Sequence, residues 1–266
     1  MKIAVLLTCF NRKAKTLSCL RSIALQQSPR ATLQFVVVDD GSKDGTSQGV
    51  KQEFPDTTLI HGDGSLYWCG GMRTAWSHAA KDDPDYYFLV NDDTLLDDNA
   101  LQTLLEMAGS PEARVIAVAA IRDPITGKRT YGGIRGSGNP VDITGELEAC
   151  DTFNANAVLI PRAVFEQLGT FHKTYTHGMG DFDYGYQASK HGVQIFQSRR
   201  ALGTCSQNGV AGSWRDRSLS RYRRLCMLQN PKGLPFREWV VFNRRNSGWK
   251  WPVRTISPYV RVLLGL

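Results

Sequence analysis

The 266-residue chain has six cysteines, Cys9, Cys19, Cys69, Cys150, Cys205 and Cys226, and no Cys-x-x-Cys pair among them. That absence excludes a zinc knuckle and a dithiol redox motif, and scattered thiols fit a reducing compartment. No apolar run is long enough to span a bilayer. The first one, Ile3 to Leu7, is too short for a secretion signal and is followed at once by Arg12, Lys13 and Lys15. The same shortness counts against Leu6-Leu7-Thr8-Cys9 as a lipoprotein cleavage site, and the stretch reads as a first buried strand. No Gly-x-Gly-x-x-Gly follows that strand, which excludes a Rossmann dehydrogenase, and there is no P-loop. Internal repeats and low-complexity segments are also lacking. What remains is an ordinary globular composition, 42% hydrophobic and 21% charged. The length fits one large domain, or one domain with an appendage.

Acidic residues are scarce in one region only. Residues 213–266 hold 12 Lys/Arg against 2 Asp/Glu, a balance of +10. Residues 1–212 hold 20 against 23, a balance of −3. Four of the six tryptophans (Trp214, Trp239, Trp249 and Trp251) lie in the basic segment. Two units are therefore expected: a body over 1–212, split into halves at 110/111, and a basic aromatic extension over 213–266.

Within the body, strand and helix patterns alternate. Strands are expected at Ile3–Leu7, Leu33–Val38, Thr57–His61 and Asp85–Val90. Leu33–Val38 is nearly all apolar and reads as buried on both faces. Helices are expected at Lys13–Gln27, Asp44–Phe54, Gly70–Lys81 and Asp97–Met107, the last with acidic residues in its first turn. This order predicts an α/β fold with a mainly parallel sheet covered by helices on both faces. Further strands are expected at Arg114–Ala120, Ala155–Ile160 and Val193–Gln197, with a hairpin or loop over 122–151. Short helices are expected at Pro161–Leu168 and Phe182–His191.

Two acidic clusters follow apolar strands: Asp39-Asp40-Gly41-Ser42 and Asn91-Asp92-Asp93-Thr94. Buried-strand carboxylates are costly unless a cation or ligand donors meet them. Ligands of parallel sheets bind at the carboxyl ends of the strands. Asp92 and Asp93 suit Mg²⁺ or Mn²⁺ shared with a substrate phosphate; the plain alternative is a solvated turn. Asp39 and Asp40 form good turn chemistry and also suit a nucleoside. Gly70 and Gly71, after Trp68, would let backbone approach a ligand, or simply serve a loop-to-helix turn. Asp181 and Asp183 enter a helix after Gly178-Met179-Gly180, as helix caps or as a general base. His172, His177 and His191 flank them, and a lone histidine is more often structural.

In this order and spacing the motifs resemble family 2 inverting glycosyltransferases of the GT-A fold. The resemblance covers about residues 1–200, through Thr8-Cys9-Phe10-Asn11-Arg12, Val38-Asp39-Asp40-Gly41-Ser42, Gly70-Gly71-Met72, Asn91-Asp92-Asp93 and Gly180-Asp181-Phe182-Asp183. The most similar subgroup contains rhamnosyltransferase-like enzymes of bacterial surface polysaccharide synthesis. The resemblance implies that Thr8, Phe10, Arg12, Asp40 and Asp92 hold the nucleotide. Asp93, with Asp92, would bind Mg²⁺ or Mn²⁺, and Gly70, Gly71 and Trp68 would line the sugar. Asp181 would be the catalytic base, with Asp183 as the alternative. The implied sugar donor is a dTDP- or UDP-linked sugar such as rhamnose, and the implied acceptor a lipid-linked glycan of O-antigen or capsule type.

Two departures stand out. Gly180 occupies the place of the family's usual glutamate, and no histidine follows the last strand, where Asn208 or water would substitute as metal ligand. They motivate an alternative: an inactive family member that binds nucleotide sugar or polysaccharide as an assembly partner. A sugar nucleotidyltransferase would show a Gly-rich basic loop after the first strand, and none is present. The basic aromatic extension suits a membrane interface, or aromatics packed onto the body with solvated arginines. No nucleic-acid motif accompanies the charge. The expected location is cytoplasmic, peripheral on the inner face of the bacterial cytoplasmic membrane.

Overall fold

The uninterrupted apolar runs become the central strands of one sheet. The computed structural model describes residues 1–26, 31–136 and 138–266. Strands β1 (Lys2–Cys9), β2 (Thr32–Asp39), β3 (Thr58–His61) and β4 (Tyr86–Val90) pair in parallel in the order β3-β2-β1-β4. Helices α1 (Lys13–Ala24), α2 (Thr46–Glu53) and α3 (Tyr67–Ala79) connect them. Gln27, the last residue of the expected first helix, lies outside the described residues.

Past β4 come β5 (Leu95–Leu96), α4 (Ala100–Ala108) and β6 (Val115–Arg122). The stretch expected to be a hairpin or loop holds four short strands: β7 (Arg129–Tyr131), β8 (Gly133–Arg135), β9 (Asn139–Pro140) and β10 (Glu148–Ala149). Strand β11 (Thr152–Phe153) joins β8 and β9 in a small antiparallel sheet. Then follow β12 (Ala157–Pro161), α5 (Arg162–Leu168), α6 (Gly180–Lys190) and β13 (Gln194–Thr204). The main sheet runs β10-β13-β6-β12-β4-β1-β2-β3, with β5 on β13 and β7 on β6. Strand β12 is antiparallel to both its neighbours.

Alternation along each strand divides the core in two. Ile3, Val5, Leu7, Tyr86, Phe88 and Val90 meet Leu17, Leu20, Ile23, Leu101 and Leu104 on one face. Ala4, Leu6, Tyr87 and Leu89 meet Met72, Trp76, Phe171 and Tyr184 on the other. Both faces are covered, which is why these strands read as continuous apolar runs. Trp76 is fully buried, with the rings of Tyr87, Phe165, Phe171 and Tyr184 at 5.3–5.9 Å. Such contacts favour offset or edge-on geometry.

Three expectations need correction. Only Val36 to Asp39 of β2 are buried, because β3 is four residues long and pairs with that half alone. Helix α4 starts at Ala100, so no acidic residue stands in its first turn; Asp97 instead pairs with Arg122 (Nη2–Oδ1 3.0 Å). Helix α3 begins at Tyr67, three residues before Gly70, so both glycines are buried inside it.

The extension forms α7 (Arg221–Gln229), α8 (Phe236–Asn246) and α9 (Trp251–Leu264). Trp239 and Phe242 of α8 pack against the core, their rings stacked at 5.3 Å. Arg245 Nε donates to both oxygens of Asp183 (3.0 and 3.1 Å), and Asn246 Nδ2 donates to Oδ1 (2.7 Å). Asp183 is 2% exposed, so removing Arg245 strips a buried carboxylate of its cation. Arg245→Ala should lower stability by about 1–3 kcal/mol, less than a fully buried pair because Arg245 is partly exposed. Limited trypsinolysis is expected to cleave the 213–266 segment faster in this variant than in the wild type.

Candidate active site

Strand order decides which loops meet. The carboxyl ends of β1, β2 and β4 lie side by side, bringing together the loops after Cys9, Asp39 and Val90. Because β12 runs antiparallel to β4, the residues before β12 face those after β4. Asn91 N–H accordingly donates to Asn156 O (3.0 Å). The end of β13 pairs with β5, which carries Cys205 back to the acidic loop.

Helix α3 is the hub of these loops. Asp40 is buried, and its carboxylate accepts from the backbone N–H groups of Gly64 (2.9 Å), Leu66 (3.3 Å) and Tyr67 (2.8 Å). It thus anchors the amino end of α3, where negative charge is favourable. The Trp68 indole N–H donates to Asn91 Oδ1 (2.7 Å) and holds the acidic loop. The Cys69 and Gly70 N–H groups both donate to Thr176 O (3.0 and 3.2 Å), so neither is free for an anion. A Cβ at Gly71 would overlap the Thr8 hydroxyl and lie 2.8 Å from Thr8 Cβ. Gly71 lets α3 lie on β1, and Gly71→Ala should cost about 1–3 kcal/mol through overpacking, read as a lowered melting temperature.

The turn reading of Asp39 holds. Its Oδ1 accepts from Ser42 N–H (2.9 Å), and Oδ2 accepts from the Ser47 hydroxyl. Asn11 stitches the neighbouring loops, donating its N–H to Ser42 Oγ (2.8 Å) and accepting from Lys43 N–H at Oδ1 (2.7 Å). Phe10 projects beside them, 52% exposed, as a free aromatic face at the rim.

Asp92 and Asp93 share one guanidinium. Arg12 Nη1 lies 3.1 Å from Asp92 Oδ1 and 2.9 Å from Asp93 Oδ2, with Lys15 Nζ 3.8 Å from the latter. Asp92 is 6% exposed, and its Oδ2 has no hydrogen-bond partner. Burial pushes its carboxyl up to about 6, opposed by Arg12 and aided by the charge of Asp93. Cys205 Sγ sits 3.5 Å from Asp93 Oδ1; burial and that carboxylate raise the thiol to about 12, so it is a neutral S–H. Among the described residues no group of three or more His, Cys, Asp or Glu could hold a metal ion. Two carboxylates with one orphaned oxygen fit a hard divalent cation whose remaining ligands come from phosphate and water.

Asp181 stands in the first turn of α6, after Met179 in the left-handed conformation (φ 68°). Its Oδ2 accepts from Ala155 N–H (3.1 Å) and its Oδ1 from Phe182 N–H (2.9 Å). Burial drives the carboxyl up to about 6, against these backbone donors. Neither Asp181 nor Asp183 caps the helix. A Cβ at Gly180 would overlap Cys69 Sγ, so a glutamate there has no room. Among the described residues five non-glycines have positive φ, and three of them, Asn11, Tyr67 at the start of α3 and Met179, lie around this site. Strain of this kind concentrates at functional sites.

The sequence profile of glycosyl transferase family 2 matches residues 4–169, more than half of the chain. The chain belongs to that family. Its fold is GT-A, shared with the solved mannosyltransferase PcManGT of Pyrobaculum calidifontis in complex with GDP-Man and Mn²⁺ (16% identity, TM-score 0.60, 98% of this chain and 74% of that one). TarS of S. aureus is similar at 15% identity and TM-score 0.58, over 98% of this chain and 81% of its own; it has also been solved with UDP-GlcNAc. GalNAc-T7 with UDP, GalNAc and Mn²⁺ aligns at 11% identity and TM-score 0.61, over 99% of this chain and 56% of its own. No curated protein matches the chain.

Set against the family resemblance, the structure joins Arg12, Asp92 and Asp93 directly, and joins Trp68 to them through Asn91. It joins Asp181 to the same loop through residues 155 and 156. Thr8 and Gly71 pack α3 on β1, while Gly70 faces Leu66 and Arg73 and gives its N–H to Thr176 O. Asp40 is committed to three N–H groups, leaving about one lone-pair direction of its carboxylate for any ligand. Asp183 turns the other way, to Arg245 and Asn246. Asn208 is exposed and its N–H donates to Tyr131 Oη (3.1 Å); the residue that reaches Asp93 is Cys205. The sequence reading missed Cys205, Cys69, Ala155 and Asn156. The place of Cys205 right after the last strand was the one available signal.

Proposed function

We propose that the protein is an inverting, divalent-metal-dependent glycosyltransferase. It moves a sugar from a nucleoside diphosphate to a hydroxyl of a growing bacterial surface glycan on a lipid carrier. Rhamnose from a dTDP- or UDP-linked donor is the first candidate, on the strength of the motif resemblance. The observation that carries the reading is the short path between two buried carboxylates. Asp181 binds Ala155 N–H, and the next residue, Asn156, binds Asn91, which precedes Asp92 and Asp93.

In this reading residues 1–110 bind the nucleotide, 111–212 bind the acceptor, and 213–266 form the extension. Asp92 and Asp93 would hold Mg²⁺ or Mn²⁺, which when bound offsets charge on the leaving diphosphate. Arg12 and Lys15 stand where they can bind the same phosphates, and Phe10 offers a stacking face to the base. Asp181 takes the proton of the acceptor hydroxyl as its oxygen bonds to the anomeric carbon. The bond from that carbon to the phosphate oxygen breaks, and its electron pair leaves with the nucleoside diphosphate. Attack from the side opposite the leaving group inverts the anomeric configuration. Gly180, which motivated the inactive reading, has a packing reason in Cys69.

The test is turnover of a nucleotide-sugar panel with lipid-linked acceptors and Mn²⁺ or Mg²⁺, read as nucleotide release and as product configuration by NMR. Inverted product supports the reading. Retained configuration overturns the inverting mechanism. Donor binding with no release in any pairing favours the inactive alternative.

A further inference from the structure

We propose that the outward face of α9 lies on a bilayer containing anionic lipid. Trp249, Val253, Ile256, Val260, Leu263 and Leu264 are each at least 41% exposed. From Val253 on, the spacing of three, four, three and one sets them in one stripe along α9, and Trp249 lies in the turn just before the helix. Thr255, Pro258 and Val262 are buried on the opposite side, against α7 and α8. The stripe is therefore the side of α9 that the rest of the chain leaves uncovered. Lys250, Arg254 and Arg261 are exposed along one of its borders. Residues 239–266 contain no acidic side chain.

Charge decides the occupant. A second copy docked through this face would bring further Lys and Arg, and no carboxylate from residues 239–266, to meet Arg254 and Arg261. An anionic headgroup layer meets the cations with phosphate and admits the apolar stripe and the Trp249 ring at the acyl boundary. Among the described residues no helix is long and apolar enough to cross a membrane, so the contact is with one surface. The docking is relayed to the site. Helix α9 packs on α8, and α8 is tied by Arg245 to Asp183, two residues from Asp181. A bilayer under α9 would thus hold Asp181 at a fixed height above the lipid. Its use rests on the lipid-linked acceptor proposed above; the binding itself needs no turnover.

The test is flotation of the full chain with vesicles of equal parts phosphatidylglycerol and phosphatidylcholine, beside vesicles of phosphatidylcholine alone. Binding is expected to the anionic vesicles and to weaken with added salt. The triple variant Val253→Ser, Ile256→Ser, Leu263→Ser should bind about tenfold less or weaker, with an unchanged melting temperature and unchanged turnover of a water-soluble acceptor. Wild type that stays unbound with both vesicles overturns the proposal, as does a triple variant that binds like wild type. A wild-type dimer that the triple variant makes monomeric, with no vesicle binding, assigns the face to a second copy. Vesicle binding without turnover in any assay would sink the proposed function and leave this inference standing.

Discussion

Asp181→Asn is expected to lower kcat by about 10²- to 10⁴-fold, the usual worth of a general base, while the melting temperature at neutral pH holds or rises. The two halves of this expectation share one cause. Burial raises the Asp181 carboxyl from 3.8 to about 6, so the folded protein carries a carboxylate that water no longer solvates. The folded state binds this proton more tightly than the unfolded chain. The group's contribution to stability is therefore fully present below about 3.8 and is lost as pH rises to about 6. At neutral pH the charge costs on the order of 3 kcal/mol. An amide removes that charge, though it turns a donor toward one of the two N–H groups that Asp181 now satisfies. The same carboxylate must be ionised to accept a proton, so wild-type kcat/KM should fall tenfold per pH unit below about 6. The variant should lose the Asp181 share of that limb and keep only what Asp92, also raised to about 6, contributes. Near-normal turnover in Asp181→Asn, or a wild-type profile flat down to about pH 5, a full unit below the raised carboxyl, would remove Asp181 from the chemistry. Asp183→Asn serves as the contrast. It weakens the bonds from Arg245 and Asn246, so it should lower stability more than kcat.

Where pattern alone decided the structure, the sequence was readable. Tyr86 to Val90 and Ile3 to Leu7 are apolar at every position because helices cover both sheet faces, and no other placement buries them. The parallel run of β1 to β4 followed, and with it the edge at which Asp92 and Asp93 emerge, though not their places in the sheet. Pairings made late in the chain were opaque. Nothing in Ala157–Pro161 announces that it inserts antiparallel between β4 and β6, yet that insertion brings Asn156 to Asn91 and Ala155 to Asp181. Roles that depend on a distant partner were hidden for the same reason. Asp183 looked equivalent to Asp181 until α8 brought Arg245 to it. Asp40 looked free for a ligand, whereas the start of α3 supplies its donors. Gly71 signalled close approach, and the surface it meets is Thr8 of β1, whereas nothing presses on Gly70 beyond Leu66 and Arg73. In the extension, charge and aromatics drew the reading away from the helical apolar spacing of Val253, Ile256, Val260 and Leu263, which α9 follows.

The second large effect concerns the acidic loop. Asp93→Asn is expected to lower divalent-cation-dependent turnover by about 10³-fold, corresponding to several kcal/mol of charge stabilisation. Titration calorimetry should show loss of cation binding in the presence of nucleoside diphosphate. Arg12→Ala should behave differently. Arg12 now neutralises both carboxylates, standing where a cation would otherwise be drawn. Without it Asp92 and Asp93 repel each other across a partly desolvated loop, so the empty loop is destabilised and a free divalent cation binds better. The same arginine is also a phosphate ligand in the proposed function, so the KM for the sugar donor should rise. The two substitutions therefore move cation affinity in opposite directions, although each removes one partner of the same contact. Were Arg12 only a structural clamp, Arg12→Ala would melt the loop and weaken cation and nucleotide together. A parallel fall of both affinities in Arg12→Ala would overturn the view that guanidinium and cation compete for one place.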